Sequence, residues 1–169
     1  MIFLRKNGIK KQYQLAKIVF LHGLESQPGG SKVVYLRGHG HDILNPLLPK
    51  DSYTQSLKIA QSAVDLHKPD FVIGSSRGGA LAMSLNPQGA KLILIAPAWK
   101  KYNKTSSSLP ADTIVLHSPY DDIVPIEDSE ILQKKSGIIL VECGKCHRMR
   151  DEEALLRLGH ALQNFGIAF

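Results

Sequence analysis

The sequence predicts an α/β fold: a doubly wound, mostly parallel sheet with helices on both faces. Three observations lead there. Short runs such as Val19-Phe20-Leu21, Leu92-Ile93-Leu94-Ile95 and Ile114-Val115-Leu116 are apolar throughout, as strands buried on both faces are. These runs alternate with stretches of helical period. The residues that could carry chemistry stand directly after the runs, where ligands sit in such sheets.

Each element has its own signal. Lys17 to Leu21 is a buried-strand run closed by His22-Gly23. Ser31 to Gly38 follows as a helix with Val33, Val34 and Leu36 apolar, and Gly38 and Gly40 stop it. His39 and His41 belong to that helix end and are not read as ligands. Asp42-Ile43-Leu44 is a short strand ended by Asn45-Pro46. Ser52 to Leu66 is a helix, with Ser52 and Gln55 in capping-box spacing and Tyr53, Leu57, Ala60 and Val64 on one face. Phe71-Val72-Ile73 is a strand, and Arg77 to Leu85 a helix stopped by Asn86-Pro87. After the strands Leu92–Ile95 and Ile114–Leu116 come a helix over Ile126 to Lys135 and a strand over Ile138 to Val141. A last helix over Asp151 to Phe165 aligns Ala154, Leu155, Leu158, Leu162 and Phe165.

Length and composition fit one domain spanning 1–169, since 169 residues at 43% hydrophobic can bury a core unaided. The net charge of +6 invites a nucleic-acid reading. The basic residues are scattered, however, with only short clusters at Lys10-Lys11, Lys100-Lys101 and Lys134-Lys135. No dense basic run has aromatics interleaved as a base-stacking platform requires, so no nucleic-acid partner is expected. No apolar stretch approaches the roughly 20 residues of a membrane span. Met1 to Lys6 turns polar too soon for a signal peptide. Two cysteines make no disulfide framework, so a reduced, cytoplasmic setting is expected.

Gly74-Ser75-Ser76-Arg77-Gly78 reads G-x-S-x-G between a strand and a helix. A serine on such a turn is held in a strained conformation with its hydroxyl raised above the sheet, and small residues two positions away avoid a clash. Ser76 is the candidate nucleophile, and a hydroxyl needs an adjacent base. The alternative is a Gly/Ser-rich turn with no chemistry. His147 follows the last strand and is the candidate base. Asp121 and Asp122 follow the strand ending near Leu116. One could orient the histidine while the other caps a turn. Stabilising a developing oxyanion needs backbone N–H donors. Arg77, at the start of its helix, offers one; Leu24, after Gly23, offers the other. His22 itself reads as a structural loop residue.

Cys143-x-x-Cys146-His147 matches a c-type haem attachment signature. It falls at a strand end, without export signals, and two cysteines do not complete a zinc site. Cys143 is read as a core residue at that strand end. No cofactor and no metal are expected.

These segments resemble the α/β-hydrolase superfamily, and among its members the small, lidless bacterial esterase-like proteins. The matching residues are Val19-Phe20-Leu21-His22-Gly23-Leu24, Ser31-Lys32, Gly74 to Gly79, His117 to Pro125, and Cys143 to His147, in the family's order. The resemblance implies a minimal fold with no cap domain. It implies Ser76 as nucleophile, His147 as base and, four residues after the strand-end His117 and just before Val124-Pro125, Asp121 as the acid. Leu24 and Arg77 would give the oxyanion N–H groups. The implied activity is a serine hydrolase acting on a small ester or thioester; the alternative is a non-catalytic binding protein on the same scaffold. Between the strands at Leu92–Ile95 and Ile114–Leu116 lies only a loop, with Trp99, Tyr102 and Ser106-Ser107-Ser108, which suits small acyl groups. Arg77 follows the nucleophile where many relatives carry an apolar residue. Its side chain either reaches the pocket, favouring acidic substrates, or lies on the surface.

Overall fold

The computed structural model of the chain describes residues 2–6, 9–102 and 109–169. Six parallel strands form the main sheet: β3 (Lys17–Leu21), β4 (Asp42–Leu44), β5 (Phe71–Ser75), β6 (Lys91–Ile95), β7 (Ile114–His117) and β8 (Ile139–Glu142). Their spatial order is β4-β3-β5-β6-β7-β8. β3 and β5 are neighbours, but the chain leaves them towards opposite edges. The sheet therefore has its switch point between the ends of these two strands, where Leu21 stands beside Gly74. A crevice outside the carboxyl ends at such a point is where open α/β sheets bind ligands.

Alternate residues of the central strands feed two cores. Ile18, Phe20, Ile73, Ile93, Ile95, Ile114 and Leu116 face one side, under α1 (Ser31–Gly38) and α5 (Glu152–Gln163). Val19, Leu21, Val72, Leu92, Leu94 and Val115 face the other, under α2 (Tyr53–His67), α3 (Arg77–Ala82) and α4 (Ile126–Ser136). Burial on both faces explains why these strands read as unbroken apolar runs. The architecture is the predicted doubly wound one.

The predicted cap of α2 forms: Ser52 Oγ accepts from the Gln55 N–H at 3.1 Å. His39 lies at the end of α1, as expected, as its C-cap. Asp151 stands just before α5 and caps it through the Ala154 N–H at 3.2 Å. Other details differ from the expectation. The helix after the elbow ends at Ala82 and not at Leu85. Ser84 N–H bonds back three residues to Leu81 O at 2.9 Å, tightening the chain ahead of Asn86-Pro87. β8 is an edge strand with Ile139 46% exposed, so its apolar run is not buried on both faces. A two-stranded antiparallel hairpin, β1 (Ile2–Lys6) with β2 (Ile9–Tyr13), was not expected. Its sequence signal is Asn7-Gly8, two residues favoured in tight hairpins, between two short strand-like runs.

Among the described residues, the link between β6 and β7 holds one 3₁₀ turn, Lys100–Tyr102, and no cap. Trp99 closes it by donating from Nε1 to Asp128 O at 3.1 Å, and Tyr102 stacks on Tyr53 with ring centres 4.7 Å apart. Ser106-Ser107-Ser108 lie outside the described residues. No helix of the described residues is long and apolar enough to cross a membrane.

Candidate active site

Ser76 sits between β5 and α3 with φ 54° and ψ −114°. A non-glycine residue with positive φ is strained, and such strain persists only where the surroundings impose it. Here they do. Ser76 N–H donates to Ile95 O at 2.8 Å, and Ser76 O accepts from Gly79, Ala80 and Ala98 N–H groups at 2.9–3.2 Å. The flanking glycines are required by close backbone approach. A Cβ on Gly74 would lie 2.3 Å from Gly78 O, and one on Gly78 would lie 2.0 Å from Leu21 O. This is the physical content of the G-x-S-x-G spacing.

The turn points Ser76 Oγ at His147, 2.9 Å from Nε2. His147 Nδ1 lies 2.7 Å from Asp121 Oδ2. The carboxylate can only accept, so Nδ1 carries the proton and Nε2 is free to accept from the serine hydroxyl. Ser76, His147 and Asp121 thus form one hydrogen-bonded chain across loops that follow β5, β8 and β7. Asp122 is exposed and takes no part in it. The His147 side chain keeps 17% of its surface exposed, while that of Asp121 is fully buried.

Burial alone would raise the Asp121 carboxyl pKa. Hydrogen bonds from His117, from His147 and from the Val124 and Ile123 N–H groups outweigh it and hold the group well below the usual carboxylate range. Asp121 is therefore an anion wherever the protein is folded near neutral pH, as a partner for an imidazolium must be.

His22 and Gly23 shape the loop after β3. His22 Nδ1 donates to Gly23 O at 2.8 Å, and Nε2 accepts from Leu48 N–H at 3.1 Å. Gly23 O also accepts from Ser26 N–H at 3.2 Å. This carbonyl belongs to the peptide whose N–H is that of Leu24, so fixing one fixes the other. Burial lowers the His22 pKa, which keeps the neutral tautomer these bonds need. A Cβ on Gly23 would fall 3.5 Å from Ser75 O and from Ser76 Cβ, so the loop lies against the elbow. The N–H of Arg77 is among those that a helix's first turn leaves without an internal partner.

Arg77 does neither of the things expected of it. Its side chain is 1% exposed and turns away into the protein. Nη2 donates to Pro49 O at 2.8 Å, Ser52 O at 3.2 Å and Ser56 Oγ at 2.9 Å, and the guanidinium lies 5.9 Å from the Tyr53 ring centre. It ties the elbow to the segment entering α2. Arg77→Met fills part of the space but strips the donors from these acceptors. Pro49 O keeps the Ser56 hydroxyl and Ser52 O keeps the Ser56 N–H, so the loss is that of the charge-assisted bonds themselves, together about 3 kcal/mol, and a Tm lower by about 6–12 °C is expected by scanning calorimetry. An unchanged Tm would contradict the clamp.

The Cys143-x-x-Cys146-His147 segment resolves into separate roles. Cys143 is buried in the core, where burial pushes its thiol up to about 11; Cys146 is half-buried. Both nitrogens of His147 are engaged as described. The loop is held by Ser118 Oγ donating to Gly144 O at 2.9 Å and by Lys32 Nζ donating to Arg148 O at 2.6 Å. Burial lowers the Lys32 ammonium to about 8. Lys32 also lines a small cavity beside the elbow, together with Gly23, Ser26, Ser31 and Ser75.

The profile of a family described as "Uncharacterised protein family (UPF0227)" matches residues 17–135, from the start of β3 into α4. The chain belongs to this family. The matched span holds Ser76, Asp121, Leu24 and Arg77 but stops short of His147. Solved structures of α/β hydrolases superpose over nearly the whole chain. The mouse alpha/beta hydrolase domain-containing protein 10 does so with TM-score 0.71 at 18% identity, covering 97% of each chain. Est1E from Butyrivibrio proteoclasticus gives TM-score 0.71 at 18% identity, covering 97% of this chain and 96% of its own. A thermophilic esterase from Thermogutta terrifontis gives 0.67 at 18% identity, covering 98% and 89%. The fold of this family member is the α/β-hydrolase fold without a separate cap. No curated protein matches the sequence itself.

Sequence reasoning missed two residues of this site. His117 served it only as a landmark, yet its Nε2 lies 3.2 Å from Asp121 Oδ2. The available signal was a polar residue directly continuing the all-apolar run Ile114–Leu116. Ser129 Oγ, 2.6 Å from His117 Nδ1, lies on α4 and has no sequence signal.

Proposed function

We propose that this protein is a serine hydrolase of carboxylesterase or thioesterase type, acting on a small acyl substrate through Ser76, His147 and Asp121. The observation that carries the reading is the hydrogen-bonded chain Ser76 Oγ, His147 Nε2 and Nδ1, Asp121 Oδ2, at 2.9 and 2.7 Å, with the serine on a strained elbow. Ser76 Oγ attacks the acyl carbon and passes its proton to His147 Nε2. The imidazolium so formed is stabilised by the Asp121 anion. Negative charge collects on the former carbonyl oxygen, where the Leu24 and Arg77 N–H groups would receive it. Collapse expels the alcohol or thiol, which takes the proton from His147. Water then repeats the sequence on the acyl-serine and releases the acid.

The open site between loops, without a cap, suits a short acyl group. Among proteins of similar fold, Est1E has a structure with ferulic acid bound, and the Thermogutta esterase one with propionate bound. Both support an ester or acid ligand for the crevice. The test is hydrolysis of p-nitrophenyl butyrate near neutral pH. Turnover above the buffer rate is expected, and His147→Ala, which leaves the Ser76 hydroxyl without its acceptor, is expected to lose it. Undiminished turnover by that variant would remove the general base. No turnover on acetyl, butyryl or thioester substrates would leave the binding-protein reading standing.

A further inference from the structure

The His117 side chain is fully buried at the end of β7. It is not an idle core histidine. Nε2 faces two acceptors, Asp121 Oδ2 at 3.2 Å and Val124 O at 3.0 Å. Only a protonated Nε2 satisfies them, so Nδ1 is left to accept from Ser129 Oγ at 2.6 Å. The Asp121 carboxylate then has all its acceptor sites filled. Oδ1 takes the Ile123 and Val124 N–H groups at 2.9 and 2.8 Å, and Oδ2 takes His147 at 2.7 Å and His117 at 3.2 Å.

We propose that His117 is a positioning residue for the reaction, a second histidine on the acid that holds Asp121 Oδ2 in line with His147. The chain of bonds then runs Ser76, His147, Asp121, His117, Ser129. The proposal rests on the serine-hydrolase reading and deepens it. The loop carrying Asp121 could be held by its two backbone donors alone, but these grip only Oδ1. They leave the carboxylate free to swing the oxygen that meets His147. His117 removes that freedom. Its proton must stay on Nε2, because the other tautomer would set a lone pair against the carboxylate. The Ser129 hydroxyl on the adjoining helix, able to donate or accept, can then donate to Nδ1.

Two substitutions of similar size separate positioning from packing. The amide nitrogen of a glutamine reaches where Nε2 stands, whereas that of an asparagine reaches only Nδ1. A hydrogen bond to a charged group is worth about tenfold to a hundredfold in an equilibrium or rate. H117N is expected to lower kcat on p-nitrophenyl butyrate by that factor with KM within about twofold. H117Q is expected to keep kcat within about threefold of wild type. Equal losses in the two variants, tracking equal losses in Tm, would mean that His117 only fills space and would overturn the proposal. So would wild-type kcat in H117N.

If neither variant folds, the wild-type protein still decides. Side-chain nitrogen-15 shifts of His117 are expected to report a proton on Nε2. A ring protonated on Nδ1 alone would overturn the assignment. This arm also separates the two ideas: absence of all ester turnover contradicts the functional reading, while the ring shifts test the arrangement around Asp121 directly.

Discussion

Replacing Ser76 with alanine is expected to lower kcat on p-nitrophenyl butyrate by at least about 10³-fold while moving Tm by no more than about 2 °C. The first figure follows from chemistry. Without Oγ there is no nucleophile to form the acyl intermediate, and removal of a triad serine costs on the order of 10⁶ in a well-studied protease. What survives is whatever the oxyanion donors and substrate binding supply to direct attack by water. The second figure follows from packing. Ser76 Oγ contributes one hydrogen bond, at 2.9 Å to a histidine that is itself partly exposed, and the alanine keeps the same backbone. Comparable turnover by the variant and the wild type, measured in matched assays, would mean that any ester hydrolysis comes from another group.

Gly78→Ala is expected to have the largest effect on stability of any single substitution at the elbow. The added Cβ would lie 2.0 Å from Leu21 O, 2.5 Å from Leu21 C and 2.9 Å from His22 O. These are backbone atoms of β3 and its exit, and Leu21 lies in the buried centre of the fold. No side chain can swing aside to relieve the clash. Either α3 moves off the sheet or β3 bends, and either change also breaks the approach of the His22-Gly23 loop to Ser76. A cost of about 4 kcal/mol or more is expected, in the range that marks severe core disruption. For a chain of this size that is a fall in Tm of roughly 8–16 °C. Thermal unfolding of Gly78→Ala within about 2 °C of wild type would show that the elbow is looser than described. Gly29→Ala is the useful contrast, because nothing lies within 4 Å of its Cβ position and only its φ of +84° opposes the change.

The fold was legible because its signals are redundant. β3, β5, β6 and β7 each read as an unbroken apolar run, and each is buried on both faces in the structure. α2 announced itself through Ser52 and Gln55, and the capping bond is there. The order of Ser76, Asp121 and His147 was legible too, since each stands just beyond a strand and all such ends converge on one edge of a parallel sheet. What could not be read were facts of side-chain direction. Arg77 sits beside Ser76 in sequence, but its first helical turn aims it at Pro49, Ser52 and Ser56, residues whose proximity depends on the packing of α2. His117 belongs to the Asp121 loop by sequence, yet its contact with Ser129 depends on where α4 docks. β8 shared the apolar look of the central strands; its half-exposed edge position is a matter of strand order, which composition does not encode. The β1–β2 hairpin had a readable turn pair in Asn7-Gly8 and an apolar run in Ile2-Phe3-Leu4, but β2, Ile9–Tyr13, is mostly polar and lacks the apolar run of a main-sheet strand.

The central claim is that Ser76 is an activated nucleophile. Its most direct measurement is reaction of the native protein with a fluorophosphonate probe, followed by peptide mass mapping. One adduct per chain on the peptide containing Ser76 is predicted, absent after prior denaturation and absent in His147→Ala at short reaction times. No adduct on the folded protein, or an adduct on another serine with Ser76 unmodified, would contradict the account.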